Sequence, residues 1–257
     1  MAAEHHCVWL YAVTDDVGAL PAGELAGIGA REVRALWVAG LAAIVSDVDL
    51  DEVTLRRNLE DLDWLESTAR AHHAVIEAVG ARCPVVPMRL ATVYSCDAGV
   101  LTMLQDRAAD LRDALSGVAA CSEWGVKAFA AAPADPDPPE EGAVSRPGTA
   151  YLQRRRAQLS SHTHARHEAM AGARAVHAEL SRLSVSARLY PPQAPGLTGQ
   201  TAPMVLNAAY LVADERVDEF AATVNDLTGR HRSVRLGLTG PWPAYSFVGG
   251  HDRGDRR

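Results

Sequence analysis

The sequence predicts an α+β protein of two domains, each a small, mostly antiparallel sheet packed with helices. Three observations predict it. Short apolar runs rich in β-formers alternate with apolar stripes at three- and four-residue steps, the periods of strand and helix. The stretch 133–148 holds five prolines beside Asp135, Asp137, Glu140 and Glu141 and breaks both periods. A length of 257 residues suits two ordinary cores better than one large one. The expected division is 1–132, an N-terminal α+β domain; 133–148, a solvated linker; 149–250, a C-terminal domain; and 251–257, a polar tail.

In order, Cys7 to Val13 reads as a central strand ended by Thr14-Asp15-Asp16. Glycines 18, 23, 27 and 29 mark loops. Val33–Val38 and Leu41–Ser46, separated by Ala39-Gly40, read as a two-residue hairpin. Leu55, Leu59, Leu62, Leu65, Ala69, His72, Ile76 and Val79 form one helical stripe, ended by Gly80 and Pro84. Val85–Leu90 reads as a short extended segment. Leu101, Leu104, Ala108, Leu111 and Leu115 mark a second helix with Asp97 as its cap. Glu123–Phe129 alternates like a strand and closes the first domain. Beyond the linker come a long helix from Tyr151 to Leu183, a strand at Val185–Tyr190 and a doubly buried strand at Met204–Val212. A helix striped by Val217, Phe220, Val224 and Leu227 follows, then Val234–Leu238. Small sheets, each with a pair of helices, suggest ferredoxin-like or related folds.

Composition narrows the function classes. With 48% hydrophobic and 22% charged residues the chain is globular, not disordered. A net charge of −7 speaks against nucleic acid as a partner. The four cysteines show neither CxxC nor zinc spacing and are expected as free thiols in a reducing cytoplasm. Neither a signal peptide nor an apolar run long enough to span a membrane is read, so a cytoplasmic protein without membrane partners is expected.

No catalytic constellation emerges. Gly27-Ile28-Gly29 lacks the third glycine of the dinucleotide fingerprint, and no phosphate loop, HExxH or GxSxG is present. His167-Glu168 begins like a zincin, but Ala171 stands where the second ligand would be. His162, His164, His167 and His177 cluster on the long helix beside Arg154, Arg155, Arg156 and Arg166, whose charge opposes a metal ion, so a polar helix face is expected. His72 is expected as a satisfied core or interface histidine. Glu123 and Lys127 lie four apart on a strand and are expected to pair on one sheet face. Arg89, in an apolar segment, is expected to pair with a carboxylate near the domain interface. No catalytic residue, cofactor or metal is therefore assigned. The competing class is an enzyme or small-molecule-binding ferredoxin-like domain using Lys127 or the histidine helix.

The stretch Thr239-Gly240-Pro241-Trp242-Pro243-Ala244-Tyr245-Ser246-Phe247-Val248 carries three aromatics within six positions, in a chain only 5% aromatic. Its prolines fix φ and stiffen it into an extended corner. Two readings stand: the aromatics close a core, or they present a rigid surface to a partner.

Several spaced motifs together carry a family resemblance. They are the opening strand with Tyr11, Pro87-Met88-Arg89-Leu90-Ala91-Thr92, Glu123-Trp124-Gly125-Val126-Lys127, Gly148-Thr149-Ala150-Tyr151-Leu152, Asn207-Ala208-Ala209-Tyr210-Leu211-Val212 and Gly240–Phe247. In that order they resemble the gas vesicle protein F/L family (GvpF/GvpL), whose GPWPPYSF signature the last is similar to. Ala244 departs from it at the second proline, and Leu90-Ala91 stand where the family tends to have Phe-Gly. The resemblance implies two α+β domains, the second ferredoxin-like, and a non-enzymatic role in gas vesicle assembly. Implied partners are the small hydrophobic shell protein (GvpA-type) and other accessory proteins, and the implied location is the cytoplasm, with gas vesicles. Such a partner needs its apolar surface covered before assembly. Trp242, Tyr245 and Phe247, with Arg89 across the domain interface, are the residues expected to border the partner site.

Overall fold

The computed structural model describes residues 7–16, 18, 25–49, 52–131, 147–194 and 202–248. The chain forms two compact units, 1–123 with 241–257 and 124–240. This division departs from the expected break at 133–148, and the reason lies in one strand, described below.

The first unit is an antiparallel sheet with helices. β1 (Cys7–Thr14), β2 (Val33–Val38) and β3 (Leu41–Val48) are joined by β4 (Val86–Pro87) in the order β2-β3-β1-β4, and β5 (Val93–Tyr94) also pairs with β1. β1 runs antiparallel to β3, β4 and β5, and seven of its eight residues are buried. That explains its unbroken apolar run. The β2–β3 hairpin turns at Ala39 (φ 53°) and Gly40 (φ 74°), a pair of left-handed residues that matches the twist of the strands.

The single helix expected over 55–79 is two. α1 (Glu52–Asn58) ends, and α2 (Leu62–Gly80) restarts from Asp61, whose carboxylate accepts from the Asp63 and Trp64 N–H groups. Leu59 and Leu62 fall at the break and are exposed. The buried face of α2 is Thr68, His72, Val75, Ile76 and Val79, packed with Trp9, Tyr11, Ile44 and Val48. The second expected helix is likewise two, α3 (Asp97–Asp106) and α4 (Ala108–Val118). Asp97 does not cap α3. It is the first helical residue, and Arg34 of β2 donates to both its oxygens at 2.8 and 3.0 Å and to Asp47.

The second unit is built on β6 (Cys121–Ala130), β7 (Ser186–Leu189), β8 (Met204–Ala213) and β9 (Val234–Trp242), in the order β7-β8-β6-β9. α5 (Pro147–Leu183) links β6 to β7, and α6 (Val217–Arg230) links β8 to β9. The result is β-α-β-β-α-β with β8 between β6 and β7, the ferredoxin-like order. β6, expected to close the first domain, is a strand of this sheet. Val126 and Ala128 are fully buried in one core with Leu206, Tyr210, Val212, Phe220 and Leu227. Removing β6 would strip both its neighbours of a hydrogen-bonding partner. Of the expected linker only Pro147 and Gly148 are described, and they open α5, where a proline suits the first turn. The remaining linker positions, the 251–257 tail and His5-His6 lie outside the described residues.

Candidate partner-binding site

Unit one carries an exposed aromatic group. β9 runs through Gly240 and Pro241 to Trp242, and a one-turn helix, α7 (Tyr245–Val248), follows at once. Gly240 adopts φ 126°, a conformation that glycine takes at little cost. The corner expected from the two prolines is therefore a strand end turning into a helix.

Two anchors fix that turn. Ala244 and Val248 are buried, and Glu123, 8% exposed, reaches α7 from the start of β6. The Ser246 backbone N–H donates to Glu123 at 2.7 Å, and the Ser246 hydroxyl donates to its other oxygen at 2.5 Å. The carboxylate thus satisfies a first-turn N–H that has no partner within its helix. Glu123 does not face Lys127 as expected; the Lys127 ammonium instead reaches the Gln193 side-chain oxygen at 3.3 Å.

On this base Trp242 is 42% and Tyr245 36% exposed, and Phe247 is half-buried. Trp242 is thus one of the exposed large apolar side chains, not one of the buried core residues. His73 of α2 draws the two exposed rings together. Its ring centroid is 5.4 Å from that of Trp242 and 6.1 Å from that of Tyr245, nearly parallel to the latter at 28°. His73 Nδ1 lies 3.3 Å from the Tyr245 hydroxyl. Its Nε2 sits 3.1 Å from a Glu77 oxygen but off the line of an N–H bond, an ion-pair contact without hydrogen-bond geometry. Burial, then the charges of Glu77 and Glu123, push the Tyr245 phenol up to about 12. The phenol is therefore neutral across the physiological range and keeps its proton for the histidine.

Arg89 is exposed and lies two residues beyond β4, on which α7 packs. It sits in a turn in which its carbonyl accepts from both the Thr92 N–H and hydroxyl. Arg89 was expected across a domain interface from Trp242, yet both belong to the first unit. His73 escaped the sequence reading. The doublet His72-His73 held the signal, because successive helix positions point about 100° apart and only one can face the core.

His72 is that core residue. The Trp9 indole N–H donates to its Nδ1 at 2.9 Å, which leaves the proton on Nε2 to donate to the Met88 carbonyl at 3.0 Å. It stacks on Tyr11 at 5.4 Å, and burial lowers its pKa, against the Met88 bond, with the neighbouring His73 charge lowering it further. A separate groove of about 670 Å³ opens beside α2, lined by Trp64, Thr68, Ala71, Ile28, Val48 and Arg31. Trp64 and His73 are nine residues apart, so the groove and the aromatic group flank α2 on opposite sides.

Among the described residues no three of His, Cys, Asp and Glu converge. His164 instead lies 3.3 Å from Glu168 one turn on, and His177 meets the Tyr210 hydroxyl at 2.9 Å. No described helix is long and apolar enough to cross a membrane.

Comparison with known proteins adds the following. The family model for "Gas vesicle synthesis protein GvpL/GvpF" matches residues 7–249. Gas vesicle protein L of Streptomyces sp. (strain CB03234) is 41% identical over 94% of this chain and 92% of its own length. Gas vesicle protein F of the same strain is 28% identical, over 88% and 92%. The crystal structure of the gas vesicle protein GvpF from Anabaena sp. PCC7120 superposes with a TM-score of 0.67 at 18% identity, covering 96% of this chain and 97% of that one. That likeness shows the same fold.

Proposed function

The chain belongs to the gas vesicle synthesis protein GvpL/GvpF family, and on that premise we propose that it is a non-enzymatic assembly factor that binds the small hydrophobic shell protein and other accessory proteins. It works in the cytoplasm beside the growing vesicle. The observation that carries this reading is the aromatic group: Trp242 and Tyr245 stand exposed, yet are held by His73 and, through Ser246, by Glu123. Rigid Trp and Tyr side chains contribute contact area at small entropic cost, and such residues dominate binding energy at interfaces. A polymerising shell subunit presents the apolar surface that they fit. Trp242 and Tyr245 are the contact residues, with half-buried Phe247 and exposed Arg89 bordering them.

The test is co-expression of this protein with the shell protein of its own genome. Soluble shell protein that co-purifies in a defined ratio supports the reading. Shell protein that aggregates equally with and without the partner contradicts it. The groove beside α2 favours a second reading, a small-molecule site, since about 670 Å³ is within the size range of ligand pockets. A thermal-shift screen with no response at any ligand removes it.

A further inference from the structure

The sheet of the second unit ends at β7, and that edge is open. Every residue from Val185 to Tyr190 is exposed, Val185 at 61% and Leu189 at 57%. β7 pairs with β8 in the register Ser186–Leu211, Ala187–Tyr210, Arg188–Ala209 and Leu189–Ala208, and no described strand lies on its other side. Residues opposite one another in a ladder share a face. Tyr210 and Ala208 belong to the buried core, so Ala187 and Leu189 stand on the core face of the sheet, at a rim where both stay exposed.

The backbone alternates as well. The Tyr190 N–H donates to the Asn207 carbonyl at 2.8 Å. Alternate residues of an antiparallel strand bond the same neighbour, so Arg188 and Ser186 also turn their backbone groups towards β8. Ala187 and Leu189 turn their N–H and C=O groups outward, a row of donors and acceptors that fits another strand. Pro191 and Pro192 follow at once and end the edge beyond Tyr190, since neither has an N–H to donate.

We infer that β7 pairs with the β7 of a second copy of this chain, antiparallel about a two-fold axis through Ala187. Identical strands pair symmetrically about one residue, and outward groups must meet outward groups, which leaves few registers. An axis before Ala187 sets Leu189 against the last turn of α5. An axis beyond Arg188 sets outward groups against Pro191, which cannot donate. An axis at Arg188 sets two like charges directly opposite one another, a repulsive pair. The axis at Ala187 has none of these faults. It sets Ala187 against its own copy, Arg188 against the partner subunit's Ser186, and Leu189 against the partner subunit's Val185. Two exposed apolar side chains thus cover each other on each side of the axis, and the two 4-stranded sheets become one. The same strand supplies both halves of the match, and this selects a second copy as the occupant. The inference is independent of the Trp242 site.

Sedimentation of the full chain over a dilution series is expected to show a monomer–dimer equilibrium. Ala187→Pro removes an outward N–H that β8 does not use, and edge strands tolerate proline at such positions. This variant is expected to remain monomeric with an unchanged circular dichroism spectrum. Leu189→Lys, at an exposed position, is expected to weaken the dimer about tenfold. Mild oxidation reads the register. Ala187→Cys is expected to give a crosslinked dimer, because paired Cα atoms lie about 5.5 Å apart, within disulfide reach. Arg188→Cys, displaced from its own copy, is expected to crosslink no more than wild type does. The inference is overturned if wild type stays monomeric at every concentration, or if Ala187→Pro and Leu189→Lys both dimerise as wild type does. Crosslinking of Arg188→Cys in place of Ala187→Cys also overturns it. So does a monomer that binds a strand of another protein and loses it in Ala187→Pro, which assigns the edge to that partner.

Discussion

Glu123 and Ser246, 123 positions apart, are joined by two hydrogen bonds, one to each carboxylate oxygen. The pair ties the one-turn helix that carries Tyr245 to the first strand residues of β6. A buried carboxylate with its partner removed is expensive, because desolvation is no longer offset. Ser246→Ala is expected to lower stability by about 1.5–3 kcal/mol, the range for a hydrogen bond to a charged group. Denaturant unfolding checks it, and an unchanged midpoint contradicts the anchoring role of Glu123.

Ala91 stands at φ 63°, in the left-handed region where glycine is favoured. The strain falls on an alanine Cβ in a backbone conformation that glycine adopts at little cost. Ala91→Gly is expected to raise stability by about 1 kcal/mol, seen as a higher melting temperature. A lower melting temperature shows that the Ala91 side chain contributes packing that outweighs the strain.

Gly27 is needed for a different reason, a close approach. A Cβ there would stand 2.3 Å from the Tyr11 hydroxyl, which accepts from the Ile28 N–H at 2.9 Å and shares a bond of 2.7 Å with Ser46. Gly27→Ala is expected to cost about 1–3 kcal/mol by overpacking. Tyr11→Phe combined with Gly27→Ala recovers part of that loss, since the clashing oxygen is gone; no recovery contradicts the clash.

Stability depends on pH through His72. Burial holds its folded pKa below the ordinary 6.5, and a proton on Nδ1 would break the bond from Trp9. The unfolded chain takes up its proton first as pH falls. The His72 contribution is therefore complete above about 6.5 and is lost as pH drops through the folded value. The melting temperature is expected to fall between about pH 7 and pH 5, with a weaker slope in His72→Gln. Equal slopes in the two proteins assign the effect to other groups.

How much of this was legible in the sequence follows period and distance. β1, β3 and β8 are buried on both faces, and their apolar runs announced them. Helix ends were less visible, because Leu59 and Leu62 kept the stripe going across a real break that Asp61 caps. The placement of β6 was not legible at all: alternation shows that a segment is a strand but not which sheet it joins. The site divides in the same way. The aromatic corner was visible from its residue types, whereas His73 and the Glu123–Ser246 pair depend on contacts across 172 and 123 positions. Glu123–Lys127 pairing was the natural reading of a four-residue spacing, and it failed because Ser246 offers the carboxylate two donors.

The most direct test of the account is co-purification of the shell protein with Trp242→Ala, measured beside its melting temperature. Trp242 is 42% exposed and lies outside the buried core, so the variant is expected to keep its fold with at most a modest drop in melting temperature while losing the shell protein. A variant that retains the shell protein at the wild-type ratio contradicts the aromatic site, and a large drop in melting temperature returns Trp242 to a structural role.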